Sequence, residues 1–211
     1  SSKNPRSTVG TITEIYDYLR VLFARVGTLY SPTTGNTVEK YTVPQIVKTI
    51  IQLPLKTKLH ILAPMSFRTK SDYRAEIQKL MSSGFGRIRV NGEIISLSED
   101  VLSLYEKGMD FEIIVDRIIL KENSEKRLTD SLEHALQLGG GVVKLLSEQK
   151  NKDPQVYVFG QQFMDPSNGE TFPDLEPKLF SFNSPVGACT DCKGLGHKRD
   201  FDEDLIILND N

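Results

Sequence analysis

The sequence predicts an α+β fold, with packed helices on a compact mixed or antiparallel sheet. Three features lead to this prediction. Apolar residues recur with helical period in several segments, and a long β-branched run follows Phe111. The dipeptide Asn91-Gly92 separates two short alternating runs, which is a strong hairpin signal because both residues tolerate positive φ.

Four helices are predicted from apolar spacing and from the residues that can begin or end them. Thr11 and Glu14 have the spacing of a capping box, and Gly27 is a suitable stop for the first helix. Thr42 can cap the second helix. The other helices are predicted over residues 43–53, 72–82 and 124–138.

Strands are predicted where apolar or β-branched runs are bounded by turn residues. Alternation in the first hairpin strand places Arg87 and Arg89 on one face, opposite Ile88 and Val90. The predicted strands cover residues 58–65, 86–90, 93–95, 111–121, 142–146 and 156–159. They alternate with the helices, as expected for one compact domain.

Charge is unevenly distributed along this chain of 211 residues, whose formal net charge is −2. Residues 56–92 contain eight Lys/Arg and two Asp/Glu, whereas residues 93–139 contain five and eleven. Such asymmetry indicates a polar binding face. It is equally consistent with two solvated faces of one domain.

The sequence lacks the motifs of the common catalytic classes. No Gly-x-x-x-x-Gly-Lys-Ser/Thr phosphate loop is present, and the glycines at 139–141 follow a helix, where they act as a stop. His60, His134 and His197 are scattered, and His60 is interpreted as a core or edge residue. No apolar run approaches the ~20 residues of a membrane helix, and the polar start is unlike a signal peptide. We predict a cytoplasmic interaction module without catalytic residues or a membrane partner.

The two cysteines, Cys189 and Cys192, have the spacing of half a zinc site. A structural zinc site needs four ligands, and His197 is the only nearby candidate for a third. Two free thiols in a turn are therefore the simpler interpretation. A thioredoxin-like redox pair fits less well, because no strand-to-helix context surrounds the motif.

Three stretches together resemble one family. They read SKNPRSTVGTITEIYDYLR at 2–20, IVDR at 114–117 and LEPKLFSFNSPVGAC at 175–189. They are similar to the UvrA family, the damage-sensing ABC-type ATPases of bacterial nucleotide excision repair. The resemblance runs the length of the chain in order, and the first and third stretches are long enough to be specific.

The resemblance implies a fragment with three parts. Residues 1–39 would be a segment of the first ATP-binding half, 40–158 the UvrB-binding domain, and 159–211 the start of the signature region with a degenerate zinc module. The phosphate loop, signature motif and Walker B strand would lie outside this chain. The fragment would then use no cofactor, although the parent family is a DNA-dependent ATPase that binds ATP and zinc.

The resemblance also implies the partner and the residues that bind it. Arg87 and Arg117 match family positions that dock UvrB, and their neighbours Arg89 and Asp116 are predicted with them. Arginine suits this role because its guanidinium makes bidentate pairs with carboxylates. An arginine salt-bridged within its own sheet is the alternative. DNA would be bound by the full UvrA dimer, and a DNA-contacting module formed by residues 56–91 is the alternative function.

The chain departs from the family at its zinc-binding turns. Asp165 and Asn168 stand where family members carry the cysteines of a Cys-Pro-x-Cys-Gly turn, which we interpret as the lost counterpart of Cys189 and Cys192. A similar pattern is lost at 31–35. Oxygen ligands substitute poorly for thiolates in a zinc site, so no metal is expected here, although Asx-type hydrogen bonds can preserve the turn.

Overall fold

The computed structural model describes residues 7–150 and 152–197. The first five residues of the N-terminal motif (2–6) and the tail from 198 onwards lie outside the described residues. The described chain divides into two compact units, one spanning 31–172 and the other formed by residues up to Tyr30 and from Pro173. Within the described ranges, no helix has the length and apolar character required to cross a bilayer.

Five α-helices lie close to the segments predicted from apolar spacing. They are α1 (Val9–Ile12), α2 (Ile15–Val26), α3 (Val43–Ile50), α4 (Lys70–Ser82) and α5 (Glu125–Leu138). The N-terminal segment differs from the prediction, because it contains two helices. The capping box that begins it joins Thr8 and Thr11, and Glu14, at φ 62°, interrupts the helix in the left-handed region. Gly27 ends α2 as predicted.

The strands in the described residues are β1 (Leu29–Tyr30), β2 (Thr37–Val38), β3 (Lys58–Met65), β4 (Arg87–Val90), β5 (Glu93–Ser96), β6 (Phe111–Ile119), β7 (Val142–Glu148), β8 (Gln155–Gly160), β9 (Phe163–Met164) and β10 (Thr171–Phe172). The α+β fold class is confirmed by one six-stranded sheet whose neighbouring strands all pair antiparallel, in the order β5-β4-β6-β3-β7-β8. Short 3₁₀ helices cover Glu99–Ser103 and Pro177–Phe180.

The predicted hairpin at Asn91-Gly92 joins β4 and β5. Both residues have positive φ, 48° and 92°, as a two-residue turn between right-twisted strands requires. Val90 is paired with Glu93, so the turn fixes the register of the hairpin. Ile88 is fully buried while Arg87 is exposed, which confirms the predicted facing of this strand.

The main core of the 31–172 unit lies between the sheet and its helices. Helix α5 packs on β3, β6 and β7, and α3 packs on α5. Alternate strand residues, such as Leu59 and Ile61, point into this core and are fully buried. A smaller cluster of Leu62, Ile114 and Leu146 is buried separately. Because successive strand residues point to opposite sides, this second cluster lies on the other side of the sheet, which we call the open face.

In the other unit, α2 packs on the 3₁₀ helix at Pro177–Phe180. The hydroxyl of Tyr16 donates a hydrogen bond to the carbonyl of Phe180. The ring of Tyr16 lies 5.3 Å from that of Phe182 between centroids, and Phe23 lies 6.1 Å from Phe180. Aromatic contacts therefore join the N-terminal helix to the C-terminal segment.

Candidate functional site

The open face places cationic side chains beside buried apolar ones. Arg117 of β6 and Leu146 of β7 lie directly opposite His60 of β3, one on each side. The neighbouring row of paired residues consists of Ile114, Leu62 and Lys144. Cross-strand neighbours on one face are close enough for their side chains to interact. The sheet therefore presents a small apolar floor with charged side chains around it.

A β-bulge at Val115 separates Asp116 from Ile114, and the side chain of Asp116 points to the side of the sheet opposite Arg117. The register of β3 and β6 shifts between Ile61 and Leu62. Asp116 accepts hydrogen bonds from Arg127 of α5, at 3.0 and 2.8 Å, and from Ser131 of α5 at 2.7 Å. Burial would raise the pKa of Asp116, but the hydrogen bonds from Arg127 and Ser131 outweigh it and hold this pKa below its usual value. Asp116 thus contacts the helix layer.

Arg89 is held inside the sheet by a buried carboxylate. Its Nη1 lies 2.6 Å from Oε2 of Glu112, whose side chain is fully buried. Lys144 Nζ lies 2.7 Å from the other oxygen of Glu112 and 3.2 Å from Asp110. Burial lowers the pKa of Lys144, and the contacts with Glu112 and Asp110 raise it by more. For Arg89, the geometry matches the alternative of a salt bridge within its own sheet.

Arg87 and Arg117 differ from Arg89, because both are exposed and neither side chain forms an ion pair with any residue in 7–150 or 152–197. They border a concavity of about 760 Å³. This concavity adjoins the place where β4 begins, since β4 pairs with β6 only over Phe111–Ile113. Its lining on the open face consists of Lys58, His60, Arg87, Ile114, Arg117 and Glu148.

The pKa of His60 reports the electrostatic environment of this concavity. Burial lowers the pKa from its ordinary value, and the positive charges of Arg117, Lys58 and Arg87 lower it further. Glu148, whose Oε1 lies 3.6 Å from His60 Nε2, acts in the opposite direction. His60 therefore stays neutral near pH 7, and its Nδ1 has no hydrogen-bond partner among the described residues.

We predict that the His60 imidazole titrates below the unfolded-state pKa of about 6.5. Between the folded and unfolded pKa values the unfolded chain binds more protons, so the free energy of unfolding falls as the pH drops below about 6.5. The contribution of neutral His60 to the free energy of unfolding is fully present above that pH. An NMR titration of the imidazole resonances, assigned by their loss in His60→Gln, measures the midpoint. A midpoint above 6.5 would contradict the cationic environment.

The Cys189–Cys192 motif lies in the other unit, with both thiols free. The Sγ of Cys192 accepts a hydrogen bond from the N–H of Gly196 at 3.3 Å. Backbone N–H groups of Gly196 and Gly194 hold the pKa of the Cys192 thiol below its ordinary value. The part of the chain that is described contains no group of three or more His, Cys, Asp and Glu side chains that could hold a metal ion.

Comparison with known proteins identifies the domain that carries the open face. The family model of the UvrA interaction domain matches residues 41–149. The chain belongs to this family.

Its relatives named UvrABC system protein A match almost the whole chain. The protein of Mesorhizobium japonicum is 41% identical over 228 residues, that of Rickettsia typhi 44% over 215, and that of Bacillus subtilis 42% over 211. These matches cover 100%, 98% and 99% of this chain, but only 23%, 22% and 21% of the respective relatives. The chain therefore spans a little more than a fifth of the length of these UvrA relatives.

The sequence predicts the arginines of this UvrA interaction domain as site residues but not the side chains around them. It predicts His60 as a core or edge residue, whereas His60 lies on β3, a central strand of the sheet, beside Arg117 on the open face. It does not predict Lys58 and Glu148 as site residues, although they are paired across β3 and β7. The alternation of Lys58, His60 and Leu62 along one strand was the available signal, but the pairing of distant strands was needed to interpret it.

Proposed function

We propose that this chain is the part of a UvrA-type protein that docks UvrB during nucleotide excision repair, and that it does so through the open face. The observation that supports this most is the exposure of Arg87 and Arg117 beside one concavity, without ion pairs among the described residues. The family match places the same residues inside a UvrA interaction domain. ATP hydrolysis and zinc binding are attributes of the parent family, and the absence of catalysis from this fragment stays a prediction.

The chemistry of the open face suits a partner surface that carries carboxylates. Arg87, Arg117 and Lys58 contribute positive charge around the concavity, and guanidinium groups pair with carboxylates in bidentate geometry. Leu62, Ile114 and Leu146 supply only a small apolar floor. A polar interface of this kind favours fast association and release, which suits a transient handoff. Arg89 and Asp116 support this surface through contacts inside the domain. Arg89 pairs with Glu112, and Asp116 pairs with Arg127 of α5.

DNA contact by residues 56–91 has less support as the main function. The structure distributes the basic residues of this stretch over β3, α4, β4 and the segments between them, and Arg89 is already paired with Glu112. A phosphate-binding surface needs several free cations along one track, because affinity arises from counterion release at each phosphate contact. Arg87, Arg117 and Lys58 form a compact group around the concavity, which favours a local protein contact.

Titration of UvrB into the whole chain by calorimetry tests the proposal. We expect saturable binding at one site, with a moderate salt dependence that reflects a few ion pairs. A parallel gel shift with a DNA duplex measures the alternative function. Saturable DNA binding with a steep salt dependence, together with no heat of binding for UvrB, would reject UvrB docking in favour of DNA contact.

A further inference from the structure

Two turns of the 31–172 unit share one backbone geometry. Ser31-Pro32-Thr33-Thr34-Gly35 and Asp165-Pro166-Ser167-Asn168-Gly169 both follow the pattern x-Pro-x-x-Gly. In each turn the glycine N–H donates to the carbonyl of the first residue at 2.9 Å. Gly35 and Gly169 both have φ of 75°, the left-handed conformation that glycine adopts without strain. The two segments are therefore repeats of one turn.

The first side chain of each turn accepts hydrogen bonds from its own backbone. Ser31 Oγ lies 3.3 Å from the N–H nitrogens of both Thr33 and Thr34. Asp165 Oδ1 accepts from the N–H of Ser167 at 2.9 Å. Ser31 and Asp165 are 2% and 0% exposed, so both oxygens are satisfied inside the protein. N–H groups in this arrangement stabilise an acceptor atom at the first position, whether the side chain is neutral or charged.

The carboxylate of Asp165 joins the two turns. Thr34 Oγ1 donates to Oδ2 of Asp165, and Ser167 Oγ donates to Oδ1 at 2.6 Å. Asn36 Nδ2 donates to Asp165 Oδ1 at 3.4 Å and to Ser167 Oγ at 3.0 Å. Hydrogen bonds from Ser167 and Thr34 hold the pKa of Asp165 well below its usual range. Asp165 is therefore charged at neutral pH and accepts bonds from both turns.

The donor set of the paired turns does not fit zinc. A structural zinc site uses four thiolate or imidazole ligands in most cases. Here Ser31 and Thr34 offer neutral hydroxyls, Asp165 offers one carboxylate, and Asn168 directs its amide towards Glu170. The turn that Asp165 contacts is the one at 31–35. The interpretation that Cys189 and Cys192 are the counterpart of the Asp165 turn stays a prediction.

We propose that the two turns form a bracket that needs no metal. In this bracket, hydrogen bonds to Asp165 hold the two turns together, as a metal ion holds the ligand turns of a thiolate site together. The bracket lies where the chain enters and leaves the 31–172 unit. The N–H of Asp165 also donates to the carbonyl of Glu170, and Met164 donates to Glu39 next to it. These hydrogen bonds join residues that are 131 and 129 positions apart in the chain, so they offset part of the loop-closure entropy that folding costs. The unit is thereby closed without zinc or thiols.

The test compares the thermal unfolding of the whole chain and of two bracket variants, with and without a chelator. Asp165→Ala removes the acceptor for both turns, and we expect the Tm to fall by at least about 5 °C. Thr34→Val removes one donor and lowers the Tm by about 2–4 °C. Asp153→Ala, at an exposed carboxylate outside the bracket, is the matched control and leaves the Tm unchanged. EDTA has no effect on the Tm of the unsubstituted chain.

Metal analysis of the purified variants can contradict the proposal of a metal-independent bracket. Stoichiometric zinc that persists in Cys189→Ser/Cys192→Ser and disappears in Asp165→Ala would overturn the proposal, as would an unchanged Tm in both bracket variants. Zinc that disappears in the cysteine variant belongs to the cysteines and leaves the bracket metal-free. In the Cys189→Ser/Cys192→Ser background, we expect Ser31→Cys/Thr34→Cys/Asp165→Cys/Asn168→Cys to bind one zinc and to make the Tm sensitive to EDTA.

Discussion

The double variant Arg87→Glu/Arg117→Glu is expected to weaken UvrB binding by at least about 100-fold, or about 3 kcal/mol. Removing one partner of a close interfacial charge pair costs about 2–5 kcal/mol. Reversal of the charge adds repulsion from the same carboxylates. Both side chains are exposed and form no ion pair among the described residues, so the free energy of unfolding should change by no more than about 0.5 kcal/mol. Calorimetric titration and urea unfolding measure the two quantities.

Arg68→Glu/Arg74→Glu is the matched control for this prediction. It makes the same change in net charge, but Arg68 precedes α4 and Arg74 lies on it, and neither lines the concavity. Equal weakening of UvrB binding by the two double variants would show general electrostatic attraction and contradict a specific site. Because Arg87 and Arg117 lower the pKa of His60, the midpoint of His60 should rise in the first variant and stay unchanged in the control.

The elements of the fold were accessible from the sequence because each depends on nearby residues. The Asn91-Gly92 turn and the buried stripe of α5, including Leu128 and Leu132, involve contacts within one segment. The exception is the N-terminal helix, where Thr11-Glu14 and Thr8-Thr11 are both possible capping pairs. The hydrogen bonds of Thr8 decide between them, and they depend on backbone geometry that composition does not specify.

The candidate site could be predicted only in part, because its members meet through strands that are distant in sequence. The resemblance pointed to Arg87 and Arg117, but it could not separate them from Arg89, which alternation places on the same face. The difference depends on Glu112, which lies 23 positions from Arg89 and directly opposite it in the sheet. The bulge at Val115 likewise sets which side of the sheet Asp116 faces, and its carboxylate contacts Ser131 of α5. Register and irregularities of register are tertiary properties, and sequence patterns specify them weakly.

Removing both cations that contact Glu112 is expected to destabilise the domain more than Arg87→Glu/Arg117→Glu does. In Arg89→Ala/Lys144→Ala the fully buried carboxylate loses ion pairs of 2.6 and 2.7 Å. Removing the partner of a buried charge costs about 3–5 kcal/mol, since the charge then remains desolvated and uncompensated. Urea unfolding should therefore show a lower midpoint with an unchanged slope, which would assign the loss to stability and not to a change in compactness.

Substitution of Glu112 shows whether the loss of stability comes from an uncompensated buried charge or from lost side-chain packing. Adding Glu112→Gln to Arg89→Ala/Lys144→Ala removes the uncompensated charge while keeping the side-chain volume, so we expect it to restore a large part of the lost stability. If the triple variant were no more stable than the double variant, the loss of stability would come from the removed side-chain stems of Arg89 and Lys144.

UvrB affinity is a second measurement on these variants. The single variant Arg89→Ala should bind UvrB nearly as well as the unsubstituted chain if Arg89 acts through Glu112, whereas a loss like that of Arg87→Glu would place Arg89 in the interface.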